Sequence, residues 1–152
     1  MERSLNIRRI RENEIPLLIS LINEMAEFEK LSSEVSLNEE ILAEQIFIKK
    51  RAEVLIAEHC DKVIGYSIFF YNFSSFLGRA GLYIEDIYVK PEYRKSGFGQ
   101  KLFDHLRGIA ATEGCGRMEW ACLDWNRKAI TFYEKNGAEP MKEWIIFRKK
   151  MI

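Results

Sequence analysis

Cysteine and histidine are scarce in this chain, and one sign of charge does not outweigh the other; each shortage removes a class of function. Three cysteines, Cys60, Cys115 and Cys122, are an odd number with no CxxC spacing, which excludes a disulfide framework and a zinc site and leaves free, buried thiols as the expectation. Two histidines, His59 and His105, give no basis for His-centred metal chemistry. The 23 basic residues equal the 23 acidic ones, so no global field draws the chain to nucleic acid or to an anionic membrane, and any charge-driven recognition must be local. The longest apolar run, "YSIFFYNF", is far too short to span a bilayer, and the charged opening "MERSLNIRRIREN" has no apolar core of signal-peptide length. A cytoplasmic protein is expected. No repeat, low-complexity tract or Pro/Gly/Ser-rich linker breaks the 152 residues, a length that suits one domain with a real core.

What is present is a succession of periodic segments. "LNIRRI" alternates as a strand. In "NEIPLLISLINEMAEFEK", Ile15, Leu18, Ile19, Ile22, Met25 and Ala26 recur at helical spacing, with Pro16 in the first turn where its missing N–H costs nothing. "SLNEEILAEQIF" predicts a shorter helix opened by Ser36 and Glu39 in capping-box spacing, with Leu37, Ile41 and Ile46 on one face. "AEVLIAEH" and "VIGYSIFFYNF", joined by "CDK", predict an antiparallel hairpin, and "GLYIEDIYV" a further strand. Then "GQKLFDHLRGIAATEG" is helical, "RMEWACL" a strand, "NRKAITFYEKNG" a helix with Asn126 as N-cap, and "EWIIFRKKM" a last strand. Hairpins mixed with crossovers predict a mixed sheet with helices on both faces.

One stretch concentrates charge. "VKPEYRKSGFGQKLF" sets Lys90, Arg94, Lys95 and Lys101 around Gly97 and Gly99, between a strand and a helix. Unpaired N–H groups and the macrodipole at the helix start, with basic side chains beside them, suit a phosphate; a solvated basic loop would look the same in sequence. Neither the GxGxxG spacing of dinucleotide folds nor the Gly-Lys-Ser/Thr ending of nucleoside-triphosphate loops is present. Glu85 and Asp86 interrupt the apolar strand "YIEDIYV", where an acid is costly without a task or a partner.

"YVKPEYRKSGFGQKLF" resembles the acyl-CoA signature of the GNAT superfamily of N-acetyltransferases, an Arg/Gln-x-x-Gly-x-Gly/Ala turn whose three defined positions are filled by Arg94, Gly97 and Gly99. "EMAEFEKL", "YIEDIYV", "DWNRKAITFYEKNGA" and the Trp144 segment are similar to its spermidine/spermine and thialysine acetyltransferase subgroup. The resemblance implies a single α/β N-acetyltransferase domain over residues 1–152, built on a central mixed, mostly antiparallel sheet. It implies acetyl-CoA, with Arg94, Lys95, Ser96, Gly97, Phe98, Gly99 and Gln100 at the pyrophosphate and the amides of Ile87, Tyr88 and Val89 at the pantetheine arm. Asn126, Arg127, Lys128 and Ala129 match the segment that opens the following helix against the cofactor; Asn126 equally suits a plain cap.

Acetyl transfer to nitrogen needs a proton acceptor for the amine and a donor for the leaving thiolate. Tyr133, which composition alone reads as a core aromatic, is implied as that donor, and Glu85 as the group that binds the ammonium and helps remove its proton. Asp86 would place a distal ammonium or bridge subunits. Phe28, Glu29, Glu119, Trp120 and Glu143 complete the implied amine site, where carboxylates and aromatic faces would hold an extended cation. The implied substrate is a small polycationic amine, a lysine-like amino acid or protein amine being the alternative, and a homodimer is implied as well. A non-catalytic CoA-binding module is disfavoured by Tyr133 together with Glu85, and nucleic-acid binding through "RRIR" and "YRKSGFGQK" by the balanced charge.

Overall fold

The computed structural model describes residues 4–152. By its internal contacts the chain divides into two compact units, one running to Ala121 and one from Cys122 to Ile152.

The first unit is a five-stranded sheet in sequence order: β1 (Asn6–Arg9), β2 (Glu53–His59), β3 (Lys62–Ser74), β4 (Arg79–Val89) and β5 (Met118–Trp120). The first four are antiparallel and β5 runs parallel to β4, so the expected mixed, mostly antiparallel sheet is present. Helices α1 (Ile15–Phe28) and α2 (Glu39–Ala43, continuing as a π turn over Glu44–Ile48) connect β1 to β2, and α3 (Phe98–Thr112) connects β4 to β5. Strand alternation sorts the core into two layers. Val54, Ile56, Tyr66 and Tyr88 pack with Ile15, Leu18 and Leu21 of α1, whereas Ala57, Ile64 and Val89 pack with Phe98 and Leu102 of α3. The sheet thus carries helices on both faces.

The second unit holds α4 (Arg127–Lys135), whose N-cap is Asn126 as expected; its Oδ1 accepts from the Ala129 N–H at 3.2 Å. No helix among the described residues is long and apolar enough to cross a membrane.

Four expectations are corrected. "EWIIFRKKM" forms no strand: a strand exists only by pairing, the second unit contains no other strand, and Trp144, Ile145, Ile146 and Phe147 are exposed. The cap of α2 is Asn38, whose Oδ1 accepts from the Ile41 N–H at 3.0 Å, in place of the Ser36–Glu39 box; starting the helix there leaves Leu37 and Ile41 exposed and only Ile46 buried. β5 covers only Met118–Trp120 of "RMEWACL". The cysteines are free but not buried. Cys122 is exposed and Cys115 half-buried, and Cys60 is exposed because it lies at the tip of the β2–β3 hairpin, where it and Asp61 both have positive φ.

Candidate active site

β4 changes character at its middle. Ile84 pairs with Phe69 and Asp86 with Ile68, so Glu85 is an extra residue with no partner opposite, a β-bulge. On the other edge of β4, pairing with β5 ends at Ile84 opposite Trp120, and the strand continues from Glu85 to Val89 without it. The bulge leaves Glu85 exposed and half-buries Asp86. The Tyr66 hydroxyl, buried in the middle of β3, donates to Asp86 Oδ2 at 2.8 Å and lies 3.4 Å from Met25 Sδ on α1.

Burial pushes the Asp86 carboxyl up to about 6; the Tyr66 hydrogen bond opposes that rise, and the negative fields of Glu85 and Glu29 add to it. Glu29, just past the end of α1, is also raised by burial. Among the described residues none of Glu29, Glu85 and Asp86 meets a basic side chain in a salt bridge. The bulge therefore gathers three carboxylates of one sign, one of which takes up a proton within the range of neutral chemistry.

The remaining residues proposed from sequence are distributed as follows. Glu119 pairs with Arg117 Nε at 3.0 Å and accepts from Asn72 Nδ2 at 3.3 Å. The Trp120 ring packs edge-on against Phe103 of α3, with centroids 5.4 Å apart. Phe28 lies beneath the Arg94 guanidinium. In the second unit, Tyr133 is half-buried in α4 with its ring edge-on to Phe132, Arg127 and Lys128 open the same helix, and Glu143 is exposed. Tyr66 is not among the residues proposed from sequence, although the sequence carries a signal for it: a tyrosine in the buried run "VIGYSIFF" needs a partner for its hydroxyl, and Asp86 is an acid in the neighbouring apolar strand.

The turn between β4 and α3 alternates hands. Lys95 (φ 68°) and Gly97 (φ 81°) are left-handed, and Gly97 is the N-cap of α3, with no side chain to accept from the first-turn amides. A Cβ added at Gly97 or at Gly99 would meet no protein atom within 4 Å. Gly97 is explained by its φ; Gly99, inside the first helical turn, is not required by any neighbour in the chain. The open space over both glycines, the helix-start amides and the exposed Lys95 fit a phosphate brought close to the backbone.

A model of the Acetyltransferase (GNAT) family matches residues 18–138. The chain belongs to that family and is an N-acetyltransferase. Thialysine N-epsilon-acetyltransferase of Bos taurus is 37% identical over 154 aligned residues, which cover 93% of this chain and 90% of the relative. L-ornithine N5-acetyltransferase of Arabidopsis thaliana is 46% identical over 86 residues, 57% of this chain and 38% of the longer plant protein. Among solved structures, an integron cassette protein from the mobile metagenome of V. cholerae superposes with a TM-score of 0.79 at 25% identity, covering 98% of this chain and 94% of that one.

Proposed function

We propose that this N-acetyltransferase moves the acetyl group of acetyl-CoA to a primary amine of a small molecule that carries a further positive charge. The observation that carries the reading is the trio of carboxylates at the β4 bulge, none of which makes a salt bridge among the described residues. Leaving several acids of one sign together is unfavourable in an empty protein and favourable once a polycation arrives. The cofactor, when bound, supplies an activated thioester carbonyl. The turn from Arg94 to Gln100 would hold its pyrophosphate, and the amides of Ile87, Tyr88 and Val89, past the end of β5, its pantetheine arm.

Glu85, exposed at the bulge, binds the reacting ammonium and accepts its proton, directly or through water, so that the nitrogen lone pair is free. Asp86 and Glu29 hold the distal charge. By the family resemblance Tyr133 would give its phenolic proton to the sulfur as it leaves. Asn126 to Ala129 would meet the cofactor at the start of α4, and Glu119, Trp120 and Glu143 would extend the amine site. The family resemblance supports a homodimer as the working form.

A second reading has its own support: the bovine and plant relatives are named for thialysine and ornithine, amino acids that end in a primary amine. A panel of diamines, terminal-amine amino acids and neutral monoamines, with acetyl-CoA and detection of released thiol, separates the two. Diamines should be turned over best, and Glu85→Gln should lower kcat/KM by about 100-fold for them and less for monoamines. Preference for amino acids over diamines selects the second reading. Thiol release unaffected by Glu85→Gln with every amine removes Glu85 from the chemistry.

A further inference from the structure

The side chain of Arg94 does not reach out from the turn that follows β4; it folds back. Its Nε donates to the Val89 carbonyl at 2.8 Å, and its guanidinium carbon sits 4.3 Å from the centroid of the Phe28 ring and 5.5 Å from that of Tyr88, both within cation–π range. One helical turn before Phe28, Glu24 meets the same segment: its carboxylate lies 3.3 Å from Lys90 Nζ and accepts from the Tyr88 hydroxyl at 3.4 Å. One stripe of α1 therefore grips both the end of β4 and the start of the turn, all within the first unit.

We propose that Phe28 is a positioning residue for the phosphate-binding turn: its ring clamps Arg94 against the end of β4, so that affinity for coenzyme A depends on the C-terminal end of α1. Two features need such a clamp. Lys95 follows Arg94 directly and is held at φ 68°, a conformation that a residue with a Cβ keeps only when its surroundings impose it. Phe28 is 41% exposed, so core packing alone does not account for a large aromatic there, whereas a ring face covered by guanidinium does. Phe28 acts on coenzyme A through Arg94, in contrast to the amine contact implied by family resemblance.

The proposal rests on the reading of this turn as the coenzyme A cradle, and titration calorimetry with coenzyme A tests the two separately. The parent should bind; Phe28→Leu, which removes the ring face, should bind about three- to tenfold more weakly; and Phe28→Tyr, which keeps it, should bind as the parent does. On an Arg94→Lys background, Phe28→Leu should cost nothing further, because the planar group it stacks on is gone. A parent that binds no coenzyme A brings down the cradle and the clamp together. If the parent binds and Phe28→Leu matches it, or if the Leu change raises only the KM for the amine, the cradle stands and the clamp is wrong. Full additivity with Arg94→Lys overturns the clamp as well.

Discussion

Two groups of acids lie in the first unit under opposite rules. At the start of the chain Arg8 sits between Glu14 and Glu58: its Nη1 and Nη2 donate to the two oxygens of Glu14 at 2.8 and 2.7 Å, and its Nε and Nη2 to Glu58 Oε1 at 3.0 and 2.7 Å. The Arg11 N–H adds a bond to Glu14 at 2.8 Å. Bonding to Arg8 holds the Glu14 carboxyl down at about 2 and lowers that of Glu58. At the β4 bulge the acids meet each other and a tyrosine, and the Asp86 carboxyl is pushed up, mainly by burial. A chain that pairs its acids with arginine at one corner and leaves them without a salt bridge at another marks the second group as the candidate ligand site. The turn between β4 and α3 is unfilled in its own way: a Cβ added at Gly97 or Gly99 would meet no protein atom within 4 Å.

The largest break in this contrast should come from Asp86→Asn. The amide keeps an oxygen for the Tyr66 hydroxyl and loses the charge. We expect kcat/KM for a diamine to fall by about 100-fold while the folded protein gains of order 2 kcal/mol at pH 7, because a charge that desolvation disfavours, and that the Tyr66 hydrogen bond only partly offsets, is gone. The sign follows from linkage. A carboxyl raised from 3.8 to about 6 binds its proton more tightly in the folded state, so its cost to stability is absent below pH ~4, grows between ~4 and ~6, and is complete above that. Urea unfolding across that window should lose this slope in Asp86→Asn. A variant less stable than the parent at pH 7 would make Asp86 a structural acid like Glu14.

Arg8→Ala should act in the opposite sense. It strands two mostly buried carboxylates, and we expect about 2–3 kcal/mol of lost stability at pH 7 with kcat and KM per folded molecule unchanged. Glu14 has its carboxyl lowered from 4.5 to about 2, so its contribution is complete above pH ~4.5 and disappears as the pH falls through that interval. The parent should therefore weaken in acid over a range that Arg8→Ala no longer shows, which denaturant midpoints between pH 2 and 5 would reveal.

The sequence discloses the chemical anomalies of this site better than its geometry. Glu85 and Asp86 stand out because an acid in an apolar strand conflicts with local pattern, and Gly97 and Gly99 because they open a helix beside basic residues. The bulge that separates Glu85 from Asp86 is invisible there, since it is a property of pairing between β3 and β4. The stacking of Arg94 on Phe28 joins residues far apart in the chain, and no local rule relates them. The C-terminal segment fails for the same reason in reverse: Trp144 to Phe147 have strand composition, but composition cannot supply a neighbouring strand. Helix α2 shows the limit of motif spacing. Ser36 and Glu39 are three apart as a capping box requires, yet Asn38, equally suited as a cap, lies nearer the first residue that turns.

The smallest effect separates what the fold needs at the start of α3 from what the proposed ligand needs. Gly99 lies in the first turn of α3, where glycine costs roughly 0.5–1 kcal/mol relative to alanine, and an alanine Cβ there would meet no protein atom within 4 Å. Gly99→Ala should therefore raise the stability of the ligand-free protein by a few tenths to about 1 kcal/mol, through a smaller entropy loss on folding. The same methyl group would stand in the space proposed for pyrophosphate, so calorimetry should show coenzyme A bound about tenfold more weakly. The two changes must have opposite signs. A variant that is more stable and binds coenzyme A as tightly as the parent would mean that the backbone at Gly99 is not approached by the ligand, and would move the phosphate contact toward Gly97 and the residues before it. A variant that loses stability without ligand would show that Gly99 serves the helix itself, and the contrast between paired and open regions would then end at the β4 bulge.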